Sequence, residues 1–201
     1  MAEDMKVQVQ KAKKAAQLLA TVSTQKKNDF LGDLAQRLEG EQSRIEQENQ
    51  KDVKIAVENN MKSGFIDRLI LNKKRIQGMA DGLRQVAALA DPVGEVMSGW
   101  KRPNGLMVTK VRVPLGVLAI IYEARPNVTI DSIGLGIKSG NSLVLRGSSS
   151  ALNSNRLLIL LARESFRQYS LPEDSVQLIE STSHDDIAQL LALRGYIDVA
   201  I

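Results

Sequence analysis

From Leu115 onward the chain alternates short apolar runs with stretches of helical spacing. Residues 116–122, GVLAIIY, are almost wholly apolar, so a strand there needs cover on both faces. A helix is expected over 126–138, a strand over 142–146 and a helix over 151–168. Leu171-Pro172 breaks the chain. A strand over 176–179, a helix over 185–193 and a strand over 196–201 complete the series. Strands joined by helix-length connections pair in parallel, because a crossover needs a dozen or more residues. The pattern therefore predicts a Rossmann-like α/β unit over residues 114–201, with the order βαβαβαβ.

The residues before it follow another rule. Residues 1–91 read as helix almost throughout. Phe30, Leu31, Leu34, Ala35 and Leu38 form one apolar face after Ser23, a candidate N-cap. Asn72 can cap a helix carrying Ile76, Met79, Ala80, Leu83 and Val86. Residues 41–60 have few apolar anchors (Ile45, Val53, Ala56) and are expected to lie on the surface. Residues 92–113 hold the breakers Gly94, Gly99, Pro103 and Gly105. They predict a β-hairpin with one wetter face, turning at Arg102-Pro103-Asn104.

Composition removes several classes of function. There is no cysteine, hence no thiol nucleophile, disulfide or thiolate metal site within these residues. One histidine, His184, rules out a histidine-rich metal site; within STSHDDIAQ it reads as a helix-start residue beside Ser183 and Asp186. Aromatics are 3% and the net charge is +4, with basic residues spread among carboxylates, so a nucleic-acid surface is not expected. No apolar run is long enough to span a bilayer, and MAEDMKVQVQKAKK lacks the core of a secretory signal. A cytoplasmic protein without membrane partners is expected.

Gly134, Gly136 and Gly140 fall within and at the end of a predicted helix, which is wrong for a dinucleotide fingerprint. IYEARPNVT places Glu123 and Arg125 where a covered strand ends, the edge at which open α/β sheets bind ligands. These charges are either a rim ion pair or ligand contacts. In LVLRGSSSA, a strand ends at Arg146 and a helix begins near Ser150. Ser148 or Ser149 can cap that helix. Alternatively, its first N–H groups and the Arg146 guanidinium can hold an anion.

Taken together, YEARPNVT and KSGNSLVLRGSSSA, with GFIDRLIL, DPVGEV and YIDVAI, resemble the gamma-glutamyl phosphate reductase (glutamate-5-semialdehyde dehydrogenase) family of the aldehyde dehydrogenase superfamily. The resemblance spans the chain but covers only the first half of such an enzyme. It implies an NADP(H)-dependent oxidoreductase of proline biosynthesis that converts L-glutamyl 5-phosphate to glutamate 5-semialdehyde. A cysteine thiolate would expel phosphate, and the thioester would accept hydride from NADPH. It also implies cofactor contacts at Glu123, Arg146, Ser148 and Ser149, and substrate contacts at Arg125 and Asn127. The superfamily has a lysine and a glutamate where Arg146 and Ser149 stand. Loss of the carboxylate with a cation retained favours NADP(H), since a carboxylate repels a 2′-phosphate. The oxyanion asparagine of the superfamily has no clear counterpart. The hairpin resembles the superfamily's oligomerisation strands, so a homo-oligomer is expected at full length. With the chain stopping in an apolar strand and no cysteine present, the expectation is an inactive fragment, a partial NADP-binding domain without the catalytic cysteine domain and without a metal. The other reading is a non-catalytic α/β module that binds a nucleotide or phosphate.

Overall fold

A four-stranded parallel sheet organises the chain. A computed structural model describes residues 2–180, 183 and 185–201. Five helices come first: α1 (Ala2–Leu19), α2 (Thr24–Gly40), α3 (Gln42–Glu58), α4 (Ser63–Leu69) and α5 (Lys73–Ala88). The hairpin β1 (Val96–Lys101) and β2 (Met107–Val111) follows. Next come β3 (Val117–Ile121), α6 (Asn127–Lys138), β4 (Ser142–Arg146), a 3₁₀ turn over Ser149–Ala151 and α7 (Leu152–Gln168). The last elements are β5 (Val176–Leu178), α8 (Asp185–Leu191) and β6 (Val199–Ala200). His184 lies outside the described residues.

The sheet order is β5-β4-β3-β6, every pair parallel. In order of occurrence among these four, that is 3-2-1-4, the Rossmann arrangement, with its switch point between β3 and β6. Period-2 alternation sends side chains to two cores. Leu118, Leu143, Leu145 and Leu178 face a core shared with α2, α5, α6 and α7. Val117, Ala119 and Val144 face a second one completed by Met5, Val9 and Ala12 of α1 and Leu190 of α8. Cover on both sides explains why β3 and β4 are apolar runs rather than alternating ones.

Local chemistry sets the element ends. Ser23 and Asn72 cap α2 and α5, accepting from the Lys26 and Arg75 amides. After α6, the Asn141 amide donates to the Gly136 carbonyl and the Gly140 amide to the Ile137 carbonyl, with Gly140 at φ +75°. This is a Schellman ending. Gly136 itself packs on β4, where an added Cβ would stand 2.8 Å from Leu143. The glycines therefore shape a helix and its stop, as their position in the sequence suggests.

Two expectations change. Residues 41–60 are not simply a surface helix: Ile45, Asn49, Asp52 and Ala56 of α3 are buried. Two of those four are polar and bond across the interior, which apolar spacing cannot reveal. The hairpin has no buried face. Every residue of β1 is exposed, and in β2 only Val108 is partly covered. No described element packs over it, so alternation there does not report a core.

Candidate functional site

Because the sheet is parallel, β3, β4 and β5 all deliver their following loops to one edge. Sheet pairing extends one step past β3, where the Tyr122 amide donates to the Arg146 carbonyl at 3.1 Å. Beneath this edge lies a buried polar chain. Tyr122 Oη meets Thr129 Oγ1 at 2.6 Å, and Thr129 Oγ1 donates to Asn155 Oδ1 at 2.8 Å. Burial pushes the Tyr122 hydroxyl up to about 12, the Thr129 bond opposing it. It is a neutral structural group. A Cβ on Gly147 would come within 2.5 Å of Asn155 Nδ2 and 3.0 Å of the Tyr122 ring. The β3–α6 and β4–α7 connections are thus locked against each other.

Arg146 closes β4 with only 9% of its surface exposed. Its Nη2 donates to the Ser183 carbonyl at 3.4 Å, while its buried Nε has no hydrogen-bond partner among the described residues. Ser148 Oγ accepts from the Ser150 amide, so Ser148 caps the 3₁₀ turn. Ser149 is exposed beside it. The N–H groups at the start of α7 are not open to an anion. Asp52 Oδ1 accepts from the amide and side chain of Asn153 at 3.1 and 2.9 Å. Asp52 Oδ2 accepts from the amide and hydroxyl of Ser154 at 2.8 and 2.6 Å. The protein's own buried carboxylate fills that position, as the partial positive charge of a helix N-terminus favours. What is left for a ligand on this side is the Arg146 guanidinium and the Ser149 hydroxyl.

On the β3 side a cleft of about 410 Å³ opens between α4, α5 and α6, lined by Asp67, Arg68, Arg75, Arg125, Asn127 and Asp131. Arg75 is fully engaged. It holds both Asp67 carboxylate oxygens, at 3.0 and 3.1 Å, and the carbonyls of Ile70 and Asp67. Arg68 lies 3.9 Å from Glu123 and over the Phe65 ring. Arg125 is exposed and has no ion pair or side-chain hydrogen bond among the described residues. Asn127 Nδ2 donates to Asp131 Oδ2 at 3.1 Å. Desolvation raises the Asp131 carboxyl above its ordinary value, and the Asn127 amide pulls the other way.

The residues singled out in the sequence fall into two groups. Arg146, Ser148 and Ser149 share the β4–α7 turn. Glu123, Arg125 and Asn127 lie on the β3–α6 turn, with Glu123 directed to Arg68 rather than to Arg146. Sequence reasoning missed Asp52, Asn49 and Arg68, whose partners are remote in the chain. Asp131 had a signal: it stands one helical turn after Asn127, on the same face. Among the described residues no cluster of three or more histidine, aspartate or glutamate side chains could hold a metal ion. No described helix is long and apolar enough to cross a membrane.

Residues 1–199 match the model of the Aldehyde dehydrogenase family. Gamma-glutamyl phosphate reductase of Anoxybacillus flavithermus is 47% identical over 195 residues, covering 97% of this chain and 47% of that protein. The enzyme of the same name from Carboxydothermus hydrogenoformans is 50% identical over 191 residues, covering 95% and 46%. The crystal structure of gamma-glutamyl phosphate reductase from Thermotoga maritima matches with a TM-score of 0.95 at 39% identity, over 98% of this chain and 47% of that one. The fold likeness extends to glyceraldehyde-3-phosphate dehydrogenase of Methanocaldococcus jannaschii complexed with NADP, with a TM-score of 0.75 at 15% identity, over 99% and 41%. The chain spans about half the length of the curated relatives it matches.

Proposed function

The chain belongs to the aldehyde dehydrogenase family, and on that premise we propose that it is the nucleotide-binding part of an NADPH-dependent gamma-glutamyl phosphate reductase. The whole enzyme would reduce L-glutamyl 5-phosphate to L-glutamate 5-semialdehyde and phosphate in the cytoplasm, within proline biosynthesis. Relatives of that name at 45–50% identity support the substrate. The hairpin's exposed strands support a homo-oligomer.

The observation that carries the cofactor reading is Arg146. A guanidinium that closes β4 with its buried Nε unpartnered among the described residues suits an anion, and Ser149, exposed on the same turn, offers no carboxylate. A 2′-phosphate would meet the guanidinium through a charge-assisted bond. NADPH, when bound, supplies the hydride. Arg146 and Ser149 would hold its adenosine end, Tyr122, Thr129 and Asn155 would keep the two loops in register, and Arg125 and Asn127 would meet the substrate. Glu123, turned to Arg68, would act on the cleft side rather than at the adenosine.

Calorimetric titration with NADPH and NADH tests this. NADPH is expected to bind more tightly. Arg146→Ala is expected to weaken NADPH about ten- to a hundredfold and to leave NADH nearly unchanged. Equal affinity for the two nucleotides, unmoved by Arg146→Ala, would sink the cofactor reading. The absence of cysteine favours a second reading for this stretch of chain, a module that binds nucleotide or phosphate without catalysis. Under that reading, a longer chain with the cysteine region would show no NADP⁺ reduction with glutamate semialdehyde and phosphate.

A further inference from the structure

The cleft between α4, α5 and α6 combines charges that do not cancel inside the protein. Arg75 is neutralised by Asp67. Arg68 has only a long contact, at 3.9 Å, with a Glu123 side chain that is 72% exposed. Arg125 has no acidic partner among the described residues, and the carboxylate of Asp131 meets one neutral amide, that of Asn127. A free cation and a free anion thus line one cavity of about 410 Å³, a volume suited to a small ligand. A plain anion such as phosphate would meet Asp131 as a repulsive neighbour. A plain cation would meet Arg125 and Arg68. The ligand class that satisfies both signs is a zwitterion.

The walls are built to stay in place. Asn49, buried on α3, donates to the Leu69 carbonyl at 2.8 Å and accepts from the Leu71 amide at 2.7 Å. That fixes the chain between α4 and α5, which forms one side of the cleft. The lining includes the exposed Gly78, and nothing lies within 4 Å of the position its Cβ would occupy. Glycine inside a helix costs about 0.5–1 kcal/mol against alanine, so no packing need explains its presence. It leaves room in the cleft.

From these observations we propose that the cleft is the subsite for the α-amino acid head of the substrate, with Arg125 and Arg68 taking the α-carboxylate and Asp131 the α-ammonium. The assignment deepens the proposed function and rests on it for the identity of the amino acid. Asp131 becomes the group that distinguishes an amino acid from a simple dicarboxylate. An incoming ammonium would oppose by its charge the desolvation that raises the Asp131 carboxyl.

The test titrates the chain with L-glutamate and with glutarate, which keeps both carboxylates and lacks the ammonium, while ¹H–¹⁵N spectra are recorded. L-Glutamate should shift the Gly78 and Asp131 amides and bind about tenfold or more tighter than glutarate. Asp131→Asn should erase that preference, and Arg125→Gln should weaken both ligands. Gly78→Leu should block both while keeping the spectrum of a folded chain, because its side chain enters empty space and leucine favours helix. No shift at these amides, or a preference that survives Asp131→Asn, overturns the subsite. NADPH added to the same samples separates the two readings. Nucleotide binding without an amino acid response removes only the subsite, and the converse removes only the nucleotide reading.

Discussion

Lys27 and Asp91 meet in the interior, Nζ to Oδ2 at 2.5 Å, with 1% and 9% of their side chains exposed. Lys27 also donates to the Lys138 carbonyl, and Lys138 Nζ to Asn28 Oδ1 and the Ala87 carbonyl. Burial alone would raise the Asp91 carboxyl. The Lys27 ammonium, the Val93 amide and the Thr24 hydroxyl outweigh it, and the carboxyl lies below its ordinary value. A carboxyl depressed on folding adds stability above its unfolded pKa, and that stability is lost as pH falls through the folded value. Asp91→Asn is therefore expected to cost about 3–5 kcal/mol at pH 7, because it leaves the buried Lys27 ammonium uncompensated. The gap to the parent should narrow as pH drops below about 4. Urea denaturation from pH 7 to pH 3 measures both; a gap that stays constant with pH would refute the linkage. At this scale the sequence was only partly legible. Arg146, Ser149 and Arg125 could be picked out because each stands where a covered strand stops or a helix begins, and Asn127 through the family resemblance. Lys27 could not, because a buried lysine among polar helix residues has the same local pattern as an exposed one.

Elements were read more fully than their partners. The four parallel strands and the helices between them follow from apolar runs and turn residues, and the caps at Ser23 and Asn72 from short polar side chains ahead of apolar faces. The start of α7 was harder. Its local sequence, RGSSSALNS, offers its own hydroxyls as caps, yet the main acceptor is Asp52, 101 residues away from Asn153 and carried by α3. Such a contact exists only once two helices have packed, so no window of sequence contains it. Asp52 is 1% exposed and accepts four hydrogen bonds. Asp52→Ala would leave two backbone N–H groups and two side-chain donors without it. The expected loss is about 2–4 kcal/mol, a helix cap plus unsatisfied buried donors. Asp52→Asn, which keeps one acceptor oxygen, should lose less. Chemical denaturation of the two variants checks the order. Equal stability of Asp52→Ala and the parent would mean that α7 finds another cap. Because Ser154 also meets Asn49, which holds Leu69 and Leu71, this cap ties α7 to the wall of the charged cleft.

At the scale of the molecule, the sheet is covered on both faces and the hairpin on neither. Val96, Met97, Trp100, Leu106, Met107 and Val113 are between 48% and 75% exposed, and Leu115 beyond them is 62% exposed. Exposed apolar side chains gathered on one two-stranded element are candidates for an association surface. Its pairing sets Trp100 beside Val108 on one face and Met107 beside Lys101 on the other, so each face of the hairpin carries exposed apolar surface. Self-association through the hairpin is accordingly expected, driven by the apolar surface it would cover. The outer edge of β6 offers a competing route, because unpaired strand edges also recruit other chains. The two routes respond differently to charge. Trp100→Glu combined with Met107→Glu places a charge on each face of the hairpin and leaves the sheet untouched, the two positions being 48% and 63% exposed. Sedimentation velocity over a concentration series should show the double variant dissociating at least about tenfold more readily, with its far-UV spectrum unchanged. Association that persists undiminished would move the contact away from the hairpin, to a sheet edge at β5 or β6, and leave the hairpin without the role its exposure implies.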